Sequence, residues 1–108
     1  MSKYVRKSSG NVFADLGIKN PEEALVKARL AHVISDAIKV RGMTQVEAAE
    51  FLGIDQPKVS RLVRGQLAGF SIDRLFRFVT LLGSDIKITV VGRGRKSQRA
   101  GHMKIALG

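Results

Sequence analysis

At 108 residues the chain is long enough for one hydrophobic core and too short for two domains of ordinary size. Its 19 Lys and Arg against 9 Asp and Glu give a formal charge of +10, which attracts polyanions such as nucleic acid or an anionic membrane surface. The lack of cysteine excludes a disulfide framework and a thiolate metal site, and no apolar run has the length of a signal peptide or a membrane span, so a cytoplasmic protein is expected.

The chain divides into a partly flexible leader (1–19), a helical unit (20–83) and a C-terminal stretch (84–108). Met1 to Gly10 is basic, rich in Ser and Gly, and without period. Val12, Phe13 and Leu16 then form a small apolar cluster able to dock on the core or on a partner. The first helix is expected from Asn20-Pro21-Glu22-Glu23: Asn20 caps free N–H groups, Pro21 suits the first turn, and two acids meet the positive dipole end. It should run to Val40, with Val26, Leu30, Val33, Ala37 and Val40 as its buried stripe, widened by Leu25 and Ile34, before Arg41-Gly42 ends it.

Thr44-Gln45-Val46-Glu47 is a capping box, so a second, short helix begins there and stops at Gly53. Asp55 caps a third, opened by Gln56 and Pro57 and closed at Gly65, with Arg61 and Arg64 near its end. Ser71 caps a fourth, Ile72 to Leu82, with Ile72, Leu75, Phe76, Val79 and Leu82 on one face. The period then changes. Asp85-Ile86-Lys87-Ile88-Thr89-Val90 alternates polar with apolar, the pattern of a half-buried β-strand. Such a strand needs a partner: a second strand near His102 to Leu107, the same strand of another copy, or a strand of a different protein. Gly92 to Gly101 reads as a basic, Gly-rich loop or tail. Within it the run Gly92 to Lys96 suits either a minor-groove arm or a solubilising tail.

The most informative stretch is Thr44 to Gly65, TQVEAAEFLGIDQPKVSRLVRG. Two short helices joined by a tight turn can cross at the wide angle that lets the second enter a DNA major groove. Ala48 and Ala49 allow close approach, and Val59 and Leu62 face inward with Leu52, Ile54 and Ala49. That leaves Gln56, Pro57, Lys58, Ser60, Arg61 and Arg64 to solvent. Gln56 suits a bidentate contact to adenine and Arg61 one to guanine, worth ~1 to 3 kcal/mol of discrimination each. Pro57 can meet a thymine methyl. Gln45 can donate to a phosphate beside its helix N-terminus, while Lys58, Arg64 and Gln66 supply further backbone contacts.

The pattern TQxExAxxLGIxQxxVSRLxRG resembles the helix-turn-helix of the phage Cro and repressor (XRE) family over about residues 30 to 83. The resemblance implies a mainly α, lambda-repressor-like domain of four to five helices, here with a C-terminal β-strand or hairpin. It also implies a non-enzymatic repressor that binds a palindromic operator in double-stranded DNA as a homodimer. Ala48, where the family often has a larger apolar residue, and Pro57 depart from the pattern. The leader SSGNVFADLGIKNPEEALVKARLA, with the strand-like stretch in place of a fifth helix, resembles the HigA-type antitoxins. That narrower likeness implies autorepression together with neutralisation of a RelE/HigB-like toxin. The alternative is a stand-alone regulator with no toxin partner. A net charge of +10 counts against the toxin, because such toxins are themselves basic and would need acids such as Asp15, Glu22, Glu23 and Asp36 gathered locally. An RNA-binding reading is weaker, since no aromatic residues are interleaved for base stacking. His32 and His102 have no companions at ligand spacing, and no carboxylate pair, Ser-His arrangement or phosphate-cradling loop stands out. Neither metal, cofactor nor catalytic activity is expected.

Overall fold

Asn20, Thr44, Asp55 and Ser71 each cap a helix in the computed structural model, which describes residues 20–92, 94 and 100–107. The helices are α1 (Pro21–Val40), α2 (Gln45–Leu52), α3 (Gln56–Val63) and α4 (Ile72–Leu81). The Asn20 side chain accepts from the Glu22 and Glu23 amides at 3.0 and 3.3 Å. Thr44 and Glu47 complete the capping box, with bonds of 3.1 and 2.8 Å. Asp55 accepts from the Lys58 amide at 2.9 Å, and Ser71 from the Arg74 amide at 3.2 Å. Each cap removes an orphan donor and contributes about 1 kcal/mol.

The core joins all four helices. Ile34 of α1, Val59 and Leu62 of α3 and Leu75 of α4 are its most deeply buried side chains, and no polar residue is buried among those described. α1 packs along α4 and against α3, while α2 packs on α3. Ala48 and Ala49 are both buried where α2 meets its neighbours, as their small side chains require. α4 is closed over the core by Leu75, Phe78, Val79 and Leu82. Phe78 meets Phe70 edge to face with ring centroids 6.4 Å apart. Ile72 and Phe76, expected on the buried face, are only half-buried, and Phe78 takes the deeper place.

The expected buried stripe of α1 is corrected. Val26, Leu30, Ala31, Ile34 and Ile38 are buried, whereas Val40 is 88% and Leu25 56% exposed. At ~100° per residue the true face is turned by about 80° from the expected one. α1 has apolar residues around much of its circumference, and the positions of α3 and α4 select among them.

The expected C-terminal hairpin within the chain is also corrected. Among the described residues there is no strand: Asp85–Val90 and His102–Leu107 do not pair as a hairpin. The second segment instead returns to the start of α1. There the Met103 amide donates to Glu22 Oε1 at 2.9 Å, His102 Nδ1 bonds to Glu22 Oε2, and Ile105 is half-buried against the core. These bonds hold the Glu22 carboxyl below its ordinary range, chiefly through the Met103 amide and then through His102. Held at the start of α1, this segment forms no ladder with 85–90. The expected leader structure, including the Val12, Phe13 and Leu16 cluster and Asp15, lies outside the described residues, as does most of the run Gly92 to Lys96. No helix among the described residues is long and apolar enough to cross a membrane.

Candidate nucleic-acid interface

The sharp turn between α2 and α3 is made by Gly53, whose φ of 75° lies in the left-handed region that glycine enters without a Cβ penalty. The Gly53 and Ile54 amides both donate to Ala49 O, at 2.9 and 3.0 Å, so the end of α2 is satisfied within one turn. Ile54 is half-buried and pins the turn to the core, and Asp55 then starts α3. α3 is anchored by Val59 and Leu62, 0% and 1% exposed. With those two residues inward, the opposite side of α3 must face solvent.

That outer side carries most of the residues singled out from the sequence. At ~100° per residue, Ser60, Arg64, Pro57 and Arg61 lie about 40°, 80°, 100° and 140° around from Gln56 and form one continuous face. Gln56, Pro57 and Arg64 are exposed, and Ser60 and Arg61 half-buried. Lys58 lies about 200° around and is drawn toward the helix start, where its ammonium is 4.0 Å from Asp55. It flanks the face rather than belonging to it. Gln66 is exposed just after Gly65, whose φ of 77° closes α3.

Two of these residues meet directly: Gln56 Nε2 donates to Gln45 Oε1 at 2.7 Å across the turn. Gln45 is the first residue of α2 and Gln56 the first of α3, so the bond links the N-termini of the two helices. It uses one of the two Gln56 N–H donors. The other N–H and the side-chain oxygen stay available as a donor-acceptor pair, and the Gln45 amide keeps both its N–H groups. Arg64 is held too, with Nε donating to Ser60 O at 3.3 Å, so its guanidinium lies along the helix.

Read along the chain, the two glutamines have separate roles and no sign of their bond, because an 11-residue separation makes contact only once the crossing angle is set. Arg41, read only as part of the end of α1, was missed in the same way. Its Nη2 donates to Leu82 O at the end of α4, at 3.1 Å, and its guanidinium lies 5.2 Å from the Phe51 ring centroid on α2. It therefore ties the supporting helices together behind the outer face. Arg74 stacks over Phe70 and Phe78 and is not part of that face.

A family model described as a helix-turn-helix domain matches residues 12–91. The chain belongs to the helix-turn-helix domain family. Among solved structures this helix-turn-helix is similar to one described as an XRE-family transcriptional regulator. The two are 35% identical with a TM-score of 0.69, and the alignment covers 82% of this chain and 98% of the other. The XRE-type likeness read over about residues 30 to 83 is thus matched by a structural likeness over most of the chain, with α2 and α3 at the Thr44 to Gly65 motif. A search of curated proteins found no match. α3 is the second helix of the helix-turn-helix, the position from which that motif reads a major groove, and its outer face bears Gln56, Pro57, Ser60, Arg61 and Arg64.

Proposed function

We propose that this protein is a sequence-specific DNA-binding transcriptional repressor that sets α3 in the major groove and acts as a homodimer on a palindromic operator. The family and the XRE-type structural neighbour support a DNA-binding regulator. The observation that carries the finer reading is the Gln45–Gln56 bond at the exposed start of α3. With one N–H fixed by Gln45, Gln56 can still offer its second N–H to adenine N7 and its oxygen to the adenine amino group. Gln45 can spend its free N–H groups on the adjacent phosphate, so one bond would set base reading and backbone register together. Ser60 and Pro57 lie beside Gln56 on the same face. Arg61 reaches base edges further along, and Arg64, Lys58 and Gln66 supply phosphate contacts.

The test is a titration of promoter fragments against random duplex over a range of salt. Arg64→Ala should weaken every duplex alike and reduce the salt slope by about one unit. Equal affinity of the unaltered protein for all duplexes would reject sequence-specific reading. An Arg64→Ala loss confined to one operator position would reject the division of roles.

The leader's likeness to HigA-type antitoxins favours a second activity, neutralisation of a RelE/HigB-like toxin. The family match, which begins at residue 12, takes in all three residues of the leader's apolar cluster. Co-expression with the product of the adjacent gene tests this part. A toxin-sized neighbour that neither binds the chain nor is inhibited by it would leave a stand-alone regulator.

A further inference from the structure

We propose that residues 86–90 form a self-pairing strand, which joins two copies of this chain antiparallel about a two-fold axis through Ile88. The proposal deepens the dimeric-repressor reading by naming the surface and the register through which the copies meet. From Ser84 to Gly92 the backbone runs without helix, turn or bend, and the backbone groups of residues 85–91 make no hydrogen bond with any described residue. Ile86 is half-buried on the core, but Ile88 is 70% and Val90 91% exposed. This alternating segment is anchored at one end, and its apolar side overhangs its own domain. The segment 102–107, which could have paired with it inside the chain, is bonded to Glu22 instead.

The register follows from the side chains. With Ile88 opposite its own copy, Ile86 of each chain faces Val90 of the other. All three apolar residues of both copies then share one side, and Val90 is carried toward the partner's core. On the reverse side Lys87 faces Thr89, and no like charges meet. A register centred on Lys87 sets two ammonium groups face to face, which is destabilising. One centred on Thr89 places Ile86 opposite Gly92 and loses an apolar rung. An odd register mixes Lys87 with Val90. The centred pairing is thus the most self-complementary in both charge and burial. It also gives the isologous two-fold contact that a palindrome requires.

Thr89 is exposed and outside the core, so its substitutions perturb the pairing without disturbing the helices. The experiment is sedimentation velocity on the full chain without DNA, over a concentration series, for the unaltered protein, Thr89→Lys and Thr89→Glu. Thr89→Lys opposes Lys87 of the partner subunit twice and should raise the dimer dissociation constant roughly 2- to 30-fold. Thr89→Glu makes two ion pairs with the same lysines and should lower it. The proposal is overturned if Thr89→Glu loosens the dimer, if either substitution leaves it unchanged, or if the unaltered chain stays monomeric throughout. A strand that pairs only with a different protein would show the last of these. Half-site affinity of each variant, measured in parallel, should match the unaltered protein. Loss of DNA binding alone would count against the repressor reading and leave the pairing intact.

Discussion

The Gln45–Gln56 bond makes a quantitative demand on DNA binding. Gln45→Ala removes the acceptor 2.7 Å from Gln56 Nε2, so the Gln56 amide must be ordered at the moment of binding rather than beforehand. Ordering a glutamine costs up to roughly 2 kcal/mol of rotamer freedom, and a neutral hydrogen bond is worth ~0.5–1.5 kcal/mol net. Gln45→Ala should therefore cost about 1 kcal/mol of operator affinity, some five-fold. Gln56→Ala should cost ~1–3 kcal/mol and relax preference at one base pair. Because each single change already disrupts the shared arrangement, the double variant should lose less than the sum by ~0.5–1.5 kcal/mol. The bond is on the surface, so thermal stability should hardly change. The assay is fluorescence anisotropy at one fixed salt concentration, on an operator recovered by selection and on its single-base variants. Losses that add to within about 0.3 kcal/mol would show that the two glutamines act independently and would refute preorganisation.

Leu62→Ala empties a site that is 1% exposed beneath the outer face of α3 and should cost ~2–5 kcal/mol of stability, read as the thermal midpoint; a loss under about 1 kcal/mol would mean that α3 is not anchored there. The lowered carboxyl of Glu22 favours the docked C-terminal segment while it is ionised. That contribution is full above the ordinary value of 4.5 and is lost as pH falls through the lower native one. The Met103 amide resonance should move over that acid range in the unaltered protein and not in Glu22→Gln; identical behaviour of the two would refute the link.

The helices were legible from the sequence because their start and stop signals are local. Asn20, Thr44, Asp55 and Ser71 each bond to amides within three residues, and Gly53 and Gly65 meet a φ requirement set by their own backbone. The outer face of α3 was legible for a related reason. With Val59 and Leu62 buried and Val63 half-buried against the core, its polar residues had one place to go.

What tertiary structure alone decided is what depends on contacts distant along the chain. The buried side of α1 was chosen by the helices packed against it, so Ile38 is in the core and Val40 is out. The Gln45–Gln56 bond and the placing of Arg41 between Phe51 and the end of α4 required the crossing angles first. The alternating segment after Gly83 shows the same division. Its two-residue period is a local property, but a strand exists only when another backbone lies beside it, and within the described chain the nearest candidate is bonded to Glu22 instead.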